Sequence, residues 1–384
     1  MTSNNNKRTN TSNTGLVIVS WNARGIVGQE STKLAELMKF LAQTNHDVDI
    51  ICIQETWETT KSKPPKIKGY QLPIFNYSTS REAGGGTCIY VKIGISFSLN
   101  PVNNPTPIDV TSITVHDRDK KLTIFNTYTR QCDNTMINYR QIFNVKDNDI
   151  IIVGDFNIKH PCWNPEFDFR CDDEAGNMLD FCSDRQLCIL NDGQITRLAP
   201  ELDRRDSAID LVIVSSHMYS SCEFYVLDNT CGSDHFPILT NTKFTINKTQ
   251  YNNDRKWNFK KATNENWAAF KEECRKKITC TTESDVNASF VSIVEQLSEI
   301  LNSTMPKYRF KDTKENKTVP WWNDECTTAA KKRENLRRNY KKDKKSLAKL
   351  KLWHDARRDA KKLFQKAKKA SWRAFCQKNK HKYN

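Results

Sequence analysis

Short runs of apolar and β-branched residues recur through the first 245 positions, and their spacing predicts strands. They fall at 16–20, 49–53, 87–91, 112–115, 122–128, 149–153, 209–214, 223–227 and 237–240. Several are apolar at consecutive positions, as expected of strands covered on both faces. Helical spacing occurs at 31–42, where Leu34, Leu37, Met38 and Leu41 share a face, and at 175–185 with Met178, Leu179 and Phe181. A weaker helical stretch spans 135–143. Strands outnumber helices and never alternate strictly with them. That predicts sheets packed face to face with helices outside, rather than a doubly wound parallel sheet.

The pattern changes near Lys248. Stretches 264–277 and 284–301 read as helices, the second with Phe290, Ile293, Val294, Leu297 and Ile300 in one stripe. After Pro320-Trp321-Trp322 comes a Lys-, Arg- and Ala-rich helical stretch, 324–379, with a sparse seam that includes Tyr340, Trp353, Phe364 and Trp372. The expected organisation is a disordered polar tail over 1–14, a mixed α/β domain over 15–245 and a basic helical extension over 246–384.

Charge follows the same division. The chain of 384 residues carries +15. Residues 1–250 hold 25 Lys+Arg against 29 Asp+Glu, and residues 251–384 hold 35 against 16. The excess is thus confined to the extension, a distribution that points to a nucleic-acid partner or to a solvated basic face. The seam of Trp and Leu adds packing as a further use for it. With 13 Cys, an odd number, and no C-x-x-C, a disulfide framework or zinc ribbon is not expected. No run approaches the length of a membrane span and the start lacks a signal-peptide core, so the expectation is an intracellular protein with no membrane partner.

The candidate chemistry lies at strand ends. Trp21-Asn22, Gln54-Glu55-Thr56 and Gly154-Asp155-Phe156-Asn157 each follow a buried-type strand, Asp210 opens another, and Ser233-Asp234-His235 immediately precedes the last. Singly, such residues are turn formers or caps. Together, in one order, they are how a rigid sheet presents a catalytic constellation.

These motifs, with Gly84-Gly85-Gly86-Thr87 and Asn126-Thr127-Tyr128, resemble those of the endonuclease/exonuclease/phosphatase superfamily, and most closely the apurinic-type endonuclease domain of jockey-like non-LTR retrotransposons. The resemblance spans Gly15 to about Thr245. It implies a four-layer α/β sandwich, two packed mixed sheets with helices outside, followed by the α-helical basic extension. Pro320-Trp321-Trp322-Asn323 and Ser371-Trp372-Arg373 resemble the connector preceding the reverse transcriptase in those polyproteins. No polymerase signature is present, which suggests a truncated frame or a fragment. Repair enzymes of the superfamily carry an acid where this chain has Arg24, which argues against repair while leaving the phosphodiesterase core intact.

The implied activity is Mg²⁺-dependent nicking of double-stranded DNA, with Mn²⁺ as a possible substitute ion, leaving a 3′-hydroxyl and a 5′-phosphate. The nick would prime reverse transcription in the nucleus; element RNA and a reverse transcriptase are the further partners. Glu55 is the expected main metal ligand with Asn22 beside it, since Mg²⁺ takes oxygen ligands. His235 would serve the attacking water or clamp the phosphate, held by Asp210. Asp155 and Asn157 would orient the water, Tyr128 would donate to the phosphate or leaving oxygen, and Asp234 completes the catalytic set. Proton transfer is left open among Asp155, His235 and Tyr128. Thr196, Arg197, Arg204, Arg205 and Ser233 are expected near the DNA backbone, with Arg81, Arg130 and Arg170 as weaker candidates. The competing classes are another phosphoesterase of the same fold and a non-catalytic nucleic-acid binder.

Overall fold

The structure is a computed structural model. It describes residues 15–28, 32–59, 62, 64–77, 84–102, 107–117, 120–130, 136–145, 149–164, 172–199, 205–246, 257–278, 286–307 and 319–379. Two compact units emerge, one comprising Met1–Lys248 with Lys317–Asn384, the other Thr249–Asn316.

In the first unit the strands are β1 (Gly15–Asn22), β2 (Ile50–Gln54), β3 (Ile74–Asn76), β4 (Thr87–Val91), β5 (Phe97–Asn100), β6 (Ile108–Asp117), β7 (Lys120–Thr129), β8 (Asp149–Asp155), β9 (Leu187–Ile189), β10 (Asp210–Ser215), β11 (Cys222–Val226) and β12 (Ile238–Thr245). They form two six-stranded sheets, ordered β11-β12-β1-β2-β4-β3 and β5-β6-β7-β8-β10-β9. Only β1/β2 and β7/β8 are parallel pairs within these sheets. Helices α1 (Lys33–Gln43), α2 (Tyr139–Ile142) and α3 (Asp173–Asp184) lie among them in sequence.

Side chains explain the layering. Along β2, Ile50 and Cys52 face the core between the sheets, whereas Ile51 and Ile53 face the core under α1, which supplies Leu34, Leu37 and Leu41. Along β8, Ile151 and Val153 face inward, while Ile150 and Ile152 join Met178 and Phe181 of α3. Continuous apolar runs are therefore required in β2 and β8: both have two covered faces, and a polar residue on either would need a partner. Three stacked cores separate four layers, the α/β sandwich expected from the sequence.

The extension folds as α6 (Asp324–Lys341) and α7 (Leu347–Asn379), which pack within the first unit. The predicted single helical stretch is interrupted at Lys342–Ser346, where Asp343 N–H donates to the Tyr340 carbonyl and the Ser346 hydroxyl accepts from Lys349 N–H. In the second unit, α4 (Asn264–Lys277) begins on a capping box between Thr263 and Asn266, and the Asn266 amide donates to the Thr304 carbonyl of α5 (Val286–Thr304). The tail 1–14 lies outside the described residues.

Candidate active site

Strand direction assembles the polar ends. β1 and β2 run parallel, as do β7 and β8, so each pair ends on one edge of its sheet. β12 and β10 run antiparallel to β1 and β8 and so begin at those same edges. The register sets Asn22 opposite Gln54, and Asp155 between Tyr128 and Asp210. Gly154 fits this register because a Cβ there would lie 1.8 Å from the Thr127 carbonyl oxygen of the neighbouring strand. Its φ of +149° further favours glycine.

The two sheets meet through side chains. The Asn22 amide nitrogen donates to Glu55 Oε1 at 2.9 Å and to Asp155 Oδ2 at 2.7 Å, joining a carboxylate of one sheet to a carboxylate of the other. Just below, Gln54 Nε2 donates to Asn126 Oδ1 at 2.6 Å, and Asn126 Nδ2 donates to the carbonyls of Ile53 and Cys88. His235 Nδ1 lies 2.9 Å from Asp210 Oδ2, and its Nε2 points toward Asp155 Oδ2 at 3.8 Å. Asn157 closes the turn, its N–H on Asp155 Oδ1 and its amide on the Thr129 carbonyl.

Other expected residues fall elsewhere. Thr196 and Ser233 are buried beneath the site, which corrects their assignment to the DNA backbone. The Thr196 hydroxyl donates to Asp210 Oδ2 at 2.6 Å and accepts from the N–H groups of Ile209 and Asp210, while Ser233 Oγ donates to the Asn22 carbonyl. Hydroxyls spent in this way cannot reach phosphate. Asp234 turns from the centre to Arg24 at 2.7 Å and Arg197 at 3.6 Å. Arg197 is partly exposed and Arg205 exposed, whereas Arg81, Arg170 and Arg204 lie outside the described residues. Arg130 pairs with Asp109 at 2.9 Å and lies over the Tyr128 ring.

Several contributors were not apparent in the sequence. Asp109 holds Gly86 N–H at 2.9 Å, and the Gly85 and Gly86 carbonyls hold Trp57 and Thr56, which flank the carboxylate-bearing turn. Trp57 Nε1 donates to Glu55 Oε2 at 3.1 Å. The Asn191 amide bridges the Asp210 carbonyl and Val212 N–H. Asp109 is the second residue of β6, ahead of the run predicted at 112–115, and the register that sets it opposite Tyr128 is visible only in the fold.

The electrostatics separate the groups. Burial and then the Asp210 carboxylate push Asp155 well above the ordinary carboxylate range, against the pull of His235. Burial alone would lower His235, but Asp210 and Asp155 outweigh it and the imidazolium is favoured. Burial, then Glu55 and Asp155, push the Tyr128 phenol up, so it stays a proton donor at neutral pH. Burial opposes ionisation of Asp234, yet His235, Arg24 and Arg197 hold its carboxyl down to about 2.

Glu55, Asp155 and Asp210 thus bring three carboxylates to one imidazole, and among the described residues none of the three pairs with Lys or Arg. This excess of hard oxygen donors fits a divalent cation. Two donor sets are available: Glu55 with Asn22, and Asp155, Asp210 and His235, whose ligand atoms all lie within 4.8 Å of one another.

The family model described as endonuclease-reverse transcriptase matches residues 122–239, a stretch that carries Tyr128, Asp155, Asp210 and His235. That stretch of the chain is therefore similar to an endonuclease family. A curated relative, the RNA-directed DNA polymerase from the mobile element jockey of Drosophila melanogaster, is 26% identical over 229 residues, or 58% of this chain and 23% of that protein. The chain therefore spans about a quarter of the relative's length. Among solved structures, the endonuclease domain of TRAS1, a telomere-specific non-LTR retrotransposon, is 17% identical over 59% of this chain and 98% of its own, with a TM-score of 0.47. The catalytic domain of Xenopus laevis APE2 is 18% identical over 61% and 94%, with a TM-score of 0.45. The matched stretch holds Tyr128, Asp155 and Asp210 of one sheet and His235 just ahead of β12, while Asn22 and Glu55 lie ahead of it in the chain.

Proposed function

We propose that this chain is a divalent-metal-dependent DNA endonuclease that nicks nuclear target DNA, leaving a 3′-hydroxyl and a 5′-phosphate, and that the 3′-hydroxyl primes reverse transcription of a non-LTR retrotransposon on element RNA. The observation that carries it is the junction at Asn22, where Glu55 and Asp155 from different sheets meet beside the Asp210–His235 pair.

Glu55 and Asn22 would hold the ion, Mg²⁺ by preference and Mn²⁺ as an alternative. When bound, such an ion supplies charge neutralisation at the phosphate and at the departing oxygen. Asp155, raised toward neutrality by burial and Asp210, accepts the proton of the attacking water, and Asn157 fixes the Asp155 carboxylate through its own N–H. His235, kept protonated by Asp210, points Nε2 into the site and clamps a phosphate oxygen. Water attacks phosphorus, the bond to the 3′-oxygen breaks, and the Tyr128 phenol donates to that oxygen. Thr196 acts through Asp210 as a positioning residue. Arg24 and Arg197 fix Asp234 and so the turn that carries His235.

Supercoiled plasmid is the test substrate. Nicking should appear with Mg²⁺, vanish with chelator, and fall about 10³-fold or more in Glu55→Ala, Asp155→Ala and His235→Ala. A template-directed polymerase should extend the nicked ends. Nicking at the unaltered rate in all three variants, or ends that no polymerase extends, would overturn the reading.

A further inference from the structure

The extension does more than pack. α6 and α7 seat on the loops that carry the site: Arg337 of α6 lies over Phe236, next to His235, and Tyr340 of α6 with Trp353 of α7 closes on Phe236 and Leu198. Further along α7, Arg357 donates to the Gly232 carbonyl of the same loop at 3.1 Å. Between α7 and the nuclease sandwich lies a cleft of about 480 Å³.

Its walls are rich in cations. Arg24 and Lys33 come from the sandwich and Arg357, Arg358 and Lys361 from α7, while Arg333 of α6 and Glu36 line it as a mutually neutralised pair. Burial and the neighbouring Arg357 hold the His354 imidazolium down, consistent with a positive field. An aromatic completes the set: Trp57 lines the cleft, is 37% exposed, and bonds to Glu55 at its other end. Arg24 lines it too and pairs with Asp234, adjacent to His235. The cleft therefore borders the catalytic edge through Arg24 and Trp57. Cations flanking an exposed aromatic are the chemistry that recognises a phosphodiester backbone and a base face.

We propose that this cleft is a binding site for the phosphodiester backbone of the DNA strand being cut, with α7 as one wall, so that the extension is part of the endonuclease's substrate-binding surface. The proposal rests on the endonuclease reading above. From His354 to Lys361 the helix advances roughly 10 Å, enough to follow about three phosphates of one strand. Among the described residues Arg358 pairs with half-buried Asp355, at 2.7 Å and with 61% of its own side chain accessible, a surface pair that phosphate can displace at small cost.

The experiment uses the full chain, a 30-bp duplex in chelator-containing buffer, and salt as the titrant. Arg358→Glu with Lys361→Glu should weaken binding about tenfold or more near 0.1 M salt and reduce the salt slope by about 2. The neutral pair Arg358→Gln with Lys361→Gln should give a similar slope change with a smaller loss. As a control for net charge, Lys120→Glu with Lys121→Glu makes the same reversal at the start of β7, the opposite end of that strand from Tyr128, and should change affinity less than twofold. Matching thermal melts exclude misfolding. Wild-type-like affinity and slope in the α7 variants, or a loss confined to single-stranded RNA, would overturn the proposal. If the plasmid is not nicked while the α7 variants still lose duplex binding, the endonuclease reading fails and the cleft stands. Nicking with unchanged KM and binding fails the cleft alone.

Discussion

Two clusters of buried charge lie in this unit, and they are built on opposite principles. At the α1/α6 contact, Arg333 bonds to Glu36 and Glu334, and Arg337 bonds to Glu334 and the Asp228 carbonyl. Two guanidinium groups face two carboxylates, and all four are at most 5% exposed. At the catalytic edge Asp155 and Asp210 face the one imidazole, and Glu55 adds a third carboxylate through Asn22. A balanced cluster is self-sufficient and holds elements together. An unbalanced one is incomplete until a cation arrives, which is why the raised carboxyl belongs to Asp155. Burial of charge alone does not mark function; residual charge does.

The sharpest way to break this comparison is to neutralise one group in each cluster. Asp210→Asn should reduce nicking about 10³–10⁴-fold, because the amide no longer stabilises the imidazolium, while thermal stability holds or rises as the excess of negative charge falls. Arg333→Ala should do the reverse, costing about 3–5 kcal/mol of stability through stranded Glu36 and Glu334. Adding Glu36→Gln to that variant should recover part of the loss. Urea melts and single-turnover nicking, run on the same preparations, check both; equal stability losses at the two sites would refute the distinction.

Smaller effects sharpen it. Thr196→Val removes a hydrogen bond to a charged group worth about 1.5–3 kcal/mol, and nicking should fall roughly 10- to 100-fold while Thr196→Ser stays near wild type. A contact with DNA would instead give a salt-dependent KM effect. Asp234 provides the pH test. Its folded pKa of about 2 lies below the unfolded value near ~3.9, so its stabilisation is complete above that unfolded value and is lost as pH falls toward 2. The stability gap between wild type and Asp234→Asn should therefore narrow from pH 5 to pH 3. A gap that widens on acidification would mean the Arg24 and Arg197 contacts do not hold this carboxylate.

The strands legible in the sequence are those with two covered faces, because burial on both sides forces an unbroken apolar run. β3, β5 and β9 escaped notice. Each has only three or four residues, and Ser98 and Leu99 of β5 are exposed, leaving no run to read. The break between α6 and α7 was equally silent, since it rests on Asp343 and Ser346 in a stretch without Gly or Pro. Within the site, Glu55, Asp155, Asp210 and His235 could be placed because strand ends with one direction converge. Thr196 and Ser233 were misplaced because a hydroxyl in a polar loop looks the same whether it faces phosphate or a buried carboxylate. Only the fold decides between those. The basic extension was ambiguous for a related reason: the charges of Arg333 and Arg337 are spent on buried carboxylates while Arg358 and Lys361 line the cleft from α7, and composition cannot separate them.

The Gln54–Asn126 bond, 2.6 Å long, has a mechanical meaning. Glu55 stands one residue beyond Gln54 and Asp155 stands across from Tyr128, two residues beyond Asn126, so the bond clamps two slabs one step below the reacting groups. A bond at that level resists sliding of one slab on the other next to the reacting groups. The molecule behaves as a caliper with its jaws set at Asn22, and a loosened clamp would show itself as lost chemistry before it showed as a lower melting point.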